Sequence, residues 1–228
     1  MTQKARYTVV NALTFARVPL IFGWLALAVA QEFVADPEPR SAQAVALTCA
    51  AALMMLLSGL TDAWDGALAR KWGVVSSLGK MADPLMDKIF YIVAFPALSW
   101  IVMHQGESAA HGLAMLGFTI LYMLRDTWVT FMRSVGAMYG ADVAAMWLVK
   151  VRTVLSFPGA GWIYAYCCMH RLAPDSWHGP WLVSCYVAEA LLAALTIWSL
   201  RSYTIAYMPY LRRAIGAHGS AGQESAAT

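Results

Sequence analysis

Long apolar runs recur along almost the whole chain and restrict its possible folds more than any other feature. Each run is about 20 residues long, the length of helix needed to cross roughly 30 Å of hydrocarbon. Because backbone polar groups in lipid must be satisfied within the spanning segment, such runs predict α-helices. The predicted spans are residues 9–31, 42–61, 84–103, 112–133, 148–169 and 180–200. We therefore expect an all-α, polytopic membrane protein with six transmembrane helices.

The composition agrees with a location in the bilayer. Hydrophobic residues make up 60% of the 228 residues and charged residues only 13%, with a mean hydropathy of +0.56. This is too little polar surface to cover a soluble globule of this size. The net charge of +3 is modest, and no nucleic-acid partner is expected. We predict one membrane domain over residues 1–215 and a small, polar, disordered tail over 216–228.

The distribution of basic residues predicts the orientation of the chain. Of 16 lysines and arginines, only Arg40 and Arg171 lie on the loops that follow odd-numbered spans. The other basic residues lie at or near the opposite face, which the positive-inside tendency makes cytoplasmic. Six crossings then place both termini in the cytoplasm.

Four aspartates gather around the end of the second span and the start of the third. Ionisable residues at membrane depth are costly and therefore indicate function. The segment reads TDAWDGALARKWGVVSSLGKMADPLMDK. Positions i, i+3, i+4, i+7 and i+8 form one helical stripe, occupied by Asp62, Asp65, Gly66, Ala69 and Arg70. Positions i, i+4 and i+8 of the next helix are Gly79, Asp83 and Asp87. Pro84 suits the first turn of that helix, with Asp83 at or near its cap, so two antiparallel helix ends would present two carboxylates each.

Four neighbouring carboxylates repel one another unless they are protonated or neutralised, and divalent cations are the usual partners. An all-oxygen ligand set without His or Cys favours Mg²⁺ or Mn²⁺ over Zn²⁺. Two such ions about 4 Å apart would clamp a phosphate. The small residues of the stripe leave room for a nucleotide, and Arg70 suits its phosphates. The alternative is a solvated turn in which the aspartates cap helices and pair with Lys71, Lys80 and Lys88.

Written as D-x2-D-G-x2-A-R-x8-G-x3-D-x3-D, the segment resembles the signature of the CDP-alcohol phosphatidyltransferase family. The resemblance implies a six-helix, homodimeric enzyme that uses CDP-diacylglycerol, with its site at the cytoplasmic side of a bacterial inner membrane. It implies a metal site of Asp62, Asp65 and Asp83, with Asp87 as general base and further ligand. It also implies a CDP site of Asp62, Gly66, Ala69, Arg70 and Gly79. No Ser, Cys or His occupies a matched position as a covalent nucleophile, so direct displacement of CMP is expected.

The acceptor alcohol is indicated by residues outside the signature. NALTFAR is similar to the opening of bacterial phosphatidylglycerophosphate synthases, which adds the candidates Asn11, Thr14 and Arg17. The stretches LRDTWVTFMR and WLVKVRTVLS resemble the basic region of the same enzymes. The phosphate of glycerol 3-phosphate would there meet Arg125, Arg133, Lys150 and Arg152. Asp126 stands where Glu is expected, and cardiolipin synthases of this family can show Arg-Asp here, so phosphatidylglycerol is the alternative acceptor.

A cation transporter is a further alternative, because intramembrane carboxylates also mark transport paths. A transport path distributes polar residues across the depth of the bilayer. Here the four aspartates lie at one face, and the other acidic residues within a predicted span are Asp126 and Glu189. The pattern favours an enzyme.

Overall fold

A computed structural model describes residues 1–33, 41–74, 77–105, 109–141, 147–173 and 178–224, and these form six helices. Their bounds are α1 Gln3–Phe33, α2 Ala42–Trp72, α3 Ser77–Gln105, α4 Ala109–Met138, α5 Trp147–Leu172 and α6 His178–Glu224. The all-α prediction is confirmed. Residues 34–40, 106–108 and 174–177, which include parts of the loops used to predict orientation, lie outside the described residues.

Four of these helices contain a stretch long and apolar enough to cross a membrane. The stretches are Gln3–Gln31, Ala42–Trp72, Ala82–His104 and Gly179–Gly216. Over the described residues α4 and α5 are not among them, and α4 contains Arg125, Asp126 and Arg133. The chain is therefore a membrane protein, while six crossings and cytoplasmic termini stay predictions.

The chain divides into two compact units. Unit 1 consists of Met1–Leu116 and Phe157–Tyr186, and unit 2 consists of Gly117–Ser156 and Val187–Thr228. Unit 1 contains α1, α2 and α3, whereas α4, α5 and α6 contribute to both units. The signature therefore lies wholly in unit 1, and both stretches of the basic region that resembles the synthases lie in unit 2.

A glycine cap ends α2 at Trp72, directly after the first half of the signature. Gly73 has a φ of 63°, the left-handed conformation that glycine adopts without steric cost. Its N–H donates to the Arg70 carbonyl at 3.4 Å, and the Val74 N–H donates to the Ala69 carbonyl at 3.1 Å. This pair of bonds is a Schellman motif. The cap ends the helix two residues after Arg70, the last signature position on α2.

The third helix begins earlier than predicted. It starts at Ser77, so the prediction that Asp83 caps the helix and Pro84 lies in its first turn is wrong. Pro84 lies inside α3, where it removes one backbone hydrogen bond. Ala82 before the proline and Met86 after it are both buried, and this packing holds the additional turns in helical form. Because α2 also continues to Trp72, both aspartate pairs lie within helices and not at their ends.

Close packing in unit 1 holds α1, α2, α3 and α5 together. Trp24 of α1 is fully buried and meets Tyr164 of α5 edge-to-face, with ring centroids 5.3 Å apart. Phe157 of α5 lies so close to Gly59 of α2 that a β-carbon there would overlap its ring. The same ring packs on Phe90 of α3 at 5.0 Å. Gly59 thus permits the close helix approach that small residues provide in membrane proteins.

Unit 2 has its own apolar cluster, formed by Val129, Met132, Tyr203 and Tyr207. The rings of Tyr203 and Tyr207 are stacked, with an interplanar angle of 5°. Beyond this cluster α6 continues to Glu224, past the predicted start of the disordered tail at residue 216. Residues 225–228 lie outside the described part of the chain, and the domain boundary stays a prediction.

Candidate active site

Three signature aspartates converge on the guanidinium of Arg17, a residue of α1. Arg17 Nη1 donates to Asp87 Oδ1 at 2.6 Å, and Nη2 donates to Asp62 Oδ1 at 2.5 Å. Nη2 also contacts Asp65 Oδ2 at 3.4 Å. Thr14, one turn earlier on α1, donates to the same Asp65 oxygen at 2.8 Å. The site is therefore built by α1, α2 and α3 together, and not by α2 and α3 alone.

The members of this cluster differ sharply in exposure. The Arg17 side chain is 3% exposed and Asp65 is 5% exposed, whereas Asp87 and Asp62 are 36% and 57% exposed. The buried pair forms the floor of the site, and the two exposed carboxylates remain accessible to a ligand. With three ionised carboxylates against one guanidinium, the cluster keeps an excess of negative charge that attracts cations.

The remaining signature positions lie on the same two helices, as their spacing predicts. Asp83 is half-buried one turn before Asp87, and Gly79 and Ala69 are also half-buried. A β-carbon at Gly66 would lie 3.3 Å from Arg70 Nη1, so the arginine side chain folds back over the glycine. The arginine itself is exposed. Gly66 therefore makes room for a guanidinium at the surface of α2.

The metal prediction is only partly supported by the geometry. In the ranges that the structure describes, no three Asp, Glu, His or Cys side chains are gathered around one point as metal ligands. Arg17 takes the position on which the aspartates converge. The donors still fit a hard divalent cation, because they are carboxylate oxygens from two helices and two of them are accessible. The residues that could hold such ions are Asp62, Asp65, Asp83 and Asp87.

Two of the four predicted acceptor-phosphate residues lie together in unit 2. Arg125 Nη1 and Arg152 Nη2 both donate to Asp126 Oδ1, at 2.7 Å and 3.0 Å. Arg125 Nε also donates to Ser199 Oγ on α6 at 3.0 Å. The Arg152 guanidinium lies over the ring of Tyr122, 4.3 Å from its centroid. Both arginines are buried, and one carboxylate serves two guanidinium groups.

Arg152 keeps unused hydrogen-bonding capacity. Its Nε and Nη1 are buried and find no hydrogen-bond partner among the described residues. Buried donors without partners are costly, and guanidinium groups bind phosphate oxygens well. The geometry therefore suits an anion at Arg152.

The other candidate residues are placed with less detail. Arg133 is exposed on α4, about two turns after Arg125. Lys150 lies on α5, but its side chain is outside the described part of the chain. Asn11 is half-buried on α1, one turn before Thr14.

Two features of the site were missed from the sequence. Asp126 was interpreted as a departure from the usual Glu and as an acid within a span, but it was given no partner, although an acid directly after an intramembrane arginine is itself a signal of an ion pair. Arg17 was only a candidate from a similar motif, with no assigned partner. Its position in a long apolar run would have indicated a buried acidic partner.

Comparison with known proteins identifies the family of the chain. Residues 7–198 match the CDP-alcohol phosphatidyltransferase family. The chain is 28% identical over 183 residues to the cardiolipin synthase (CMP-forming) of Streptomyces coelicolor, covering 75% of each protein. It is 26% identical over 163 residues to the CDP-diacylglycerol–glycerol-3-phosphate 3-phosphatidyltransferase of Escherichia coli strain K12, covering 68% of this chain and 76% of that protein.

The family match spans both helices that contain the aspartates, and it confirms an enzyme in preference to a cation transporter. Relatives with two different names, a cardiolipin synthase and glycerol-3-phosphate phosphatidyltransferases, lie at similar identity. The match therefore identifies the reaction class but leaves the acceptor open. Because the family match covers residues 7–198, the chain belongs to the CDP-alcohol phosphatidyltransferase family and is a phosphatidyltransferase.

Proposed function

We propose that this enzyme transfers the phosphatidyl group of CDP-diacylglycerol to glycerol 3-phosphate, forming phosphatidylglycerophosphate and releasing CMP. The observation that supports the site is the convergence of Asp62, Asp65 and Asp87, from two helices, on one cationic centre. Mg²⁺ or Mn²⁺ bound to these aspartates and Asp83 would supply positive charge to the diphosphate oxygens.

The reaction is a direct displacement. The acceptor oxygen forms a bond to the lipid-linked phosphorus, while the bond from that phosphorus to CMP breaks and CMP leaves. Asp87 accepts the proton of the acceptor hydroxyl. Its side chain is 36% exposed, so a hydroxyl can reach it. Gly66, Ala69, Arg70 and Gly79 seat the CDP moiety, and Arg70 pairs with its phosphates.

The acceptor phosphate is bound by the basic residues of unit 2. Arg125 and Arg152 share the single carboxylate of Asp126, so their combined charge is not fully neutralised. The unused Nε and Nη1 of Arg152 provide two donors for the oxygens of an anion. Arg133 and Lys150 would add charge to the same acceptor.

Phosphatidylglycerol is the second candidate acceptor. The cardiolipin synthase of Streptomyces coelicolor covers as much of this chain as any relative named above. Asp126 also leaves the two arginines with one unpaired positive charge, which matches the single charge of a phosphodiester. A phosphate monoester with two charges would draw further on Arg133 or Lys150.

The proposal extends to the setting of the enzyme. We infer six crossings from the apolar runs and a cytoplasmic position of both termini and the aspartates from the distribution of basic residues. The inner membrane of a bacterium is inferred from the family resemblance. The family resemblance supports a homodimer. Cross-linking in native membranes tests the dimer, and cysteine labelling from each side of the membrane tests the orientation.

One experiment separates the acceptors. Purified protein in detergent micelles receives CDP-diacylglycerol and Mg²⁺ with glycerol 3-phosphate, phosphatidylglycerol, inositol phosphate or serine, and CMP release is measured. Glycerol 3-phosphate should give the highest kcat/KM, with phosphatidylglycerophosphate as the product detected by mass spectrometry. Preferential CMP release with phosphatidylglycerol would replace the first candidate by the second.

A further inference from the structure

We propose that Arg17 is a built-in counterion that competes with divalent metal ions for the signature aspartates. This inference rests on the proposed metal site. It assigns to a residue of α1 an effect on the metal affinity of that site. Arg17 contacts Asp62, Asp65 and Asp87 with two nitrogens. No other part of the proposed mechanism assigns a task to this buried guanidinium.

The reason for a counterion is electrostatic. Carboxylates from α2 and α3 that face one another without a cation repel, and the repulsion is strong where water is excluded. Asp65 is 5% exposed and Arg17 is 3% exposed, so this pair is held away from water. The guanidinium therefore holds α1, α2 and α3 together when no metal is bound.

The reason for competition is the identity of the oxygen atoms. Arg17 binds Asp62 Oδ1 and Asp87 Oδ1, and both residues are among those that would hold the metal ions. A divalent cation placed among these oxygens would also lie next to a positive guanidinium. Metal binding must therefore weaken or break the Arg17 ion pairs, and removal of Arg17 must favour the metal.

A fixed orienting role for Arg17 makes the opposite prediction. If the guanidinium only held the carboxylates in place for the metal, its removal would weaken metal binding. The sign of the change in metal affinity therefore distinguishes the two roles.

The experiment is a Mn²⁺ titration of the full-length protein in detergent micelles, followed by electron paramagnetic resonance of free Mn²⁺, without substrate. Arg17→Gln should bind Mn²⁺ more tightly than wild type by about tenfold, within the range of typical couplings between linked sites. Its Tm without metal should fall, and Mn²⁺ should raise that Tm by more than in wild type. The matched control is Arg171→Gln, because Arg171 Nη2 bonds to the Gln31 carbonyl, about 20 Å along α1 from Arg17. The control should leave the Mn²⁺ affinity unchanged.

A second variant covers the case in which Arg17→Gln does not fold. Arg17→Lys keeps the charge but loses the forked geometry that reaches several carboxylates, and it should also bind Mn²⁺ more tightly than wild type. Unchanged or weaker Mn²⁺ binding in the folded variants overturns the counterion role and leaves the proposed function intact. Absence of Mn²⁺ binding to the wild-type protein overturns the proposed metal site and this inference together.

Discussion

Replacing Arg152 by methionine tests the acceptor site without dismantling unit 2. The methionine keeps an apolar stem of similar length but removes every donor. The fold loses one hydrogen bond to Asp126 and the contact with the Tyr122 ring, together worth about 2–5 kcal/mol. Removal of two buried donors that have no partner among the described residues offsets part of this loss. The pair of Arg125 and Asp126 at 2.7 Å survives, so the half-buried Asp126 carboxylate keeps a partner.

The effect on the reaction should be specific to the acceptor. Arg152 has two donors available for an anion, and a hydrogen bond to a charged group is worth about 1.5–3 kcal/mol. Loss of one such bond lowers kcat/KM for glycerol 3-phosphate by roughly 10- to 150-fold. The KM for CDP-diacylglycerol should stay unchanged, because the CDP site is assigned to residues of α2 and α3.

The assay is CMP release at saturating CDP-diacylglycerol with glycerol 3-phosphate varied, alongside thermal unfolding to show that the variant is folded. Arg201→Met is the matched control, because Arg201 is an exposed arginine of α6 in the same unit. A folded Arg152→Met variant whose kcat/KM for glycerol 3-phosphate stays within threefold of wild type would refute the assignment.

Three further changes test other parts of the structure. Asp87→Asn should lower kcat by at least about 100-fold, because the acceptor hydroxyl loses its base. The affinity for CDP-diacylglycerol, measured in a binding assay, should stay near that of wild type. Near-full turnover would contradict the base role. Gly59→Ala should destabilise the fold by about 1–3 kcal/mol and lower the Tm, because the added β-carbon overlaps Phe157. In the control Gly161→Ala the added β-carbon lies in open space, so the Tm should be unchanged or higher. Asp126→Asn should lower the free energy of unfolding by about 3–5 kcal/mol, because two buried guanidinium groups lose their shared carboxylate. Glycerol 3-phosphate should raise the Tm of this variant. A Tm equal to that of wild type without ligand would argue against the shared ion pair.

Much of the fold could be predicted because its elements are long and strongly patterned. The apolar runs predicted all six helices, and residue spacing correctly placed the first half of the signature on one helical stripe. The start of α3 was wrong because Pro84 was given its usual position in a first turn, whereas the burial of Ala82 extends the helix before the proline. At the start of α3, the packing of buried side chains therefore outweighs the preference of proline for the first turn of a helix.

Contacts between distant helices could not be predicted from spacing. The pairing of Arg17 with aspartates 45, 48 and 70 residues later depends on how α1 packs on α2 and α3. The same holds for Arg152 and Asp126, which are 26 residues apart on two helices. Spacing relates residues on one helix, and single-sequence patterns contain no comparable rule for residues on different helices.

The buried position of Arg17 also bears on how the protein enters the bilayer during synthesis. Translation delivers α1 before α2 and α3, so the arginine reaches the membrane ahead of all three of its carboxylate partners. An arginine at the centre of a span raises the free energy of insertion by about 2.5–3.5 kcal/mol, which is an upper limit for Arg17 because its aspartate partners lie towards one face. The first helix therefore becomes fully stable in the membrane only when α2 brings Asp62 and Asp65, which makes insertion of the first two helices a coupled event.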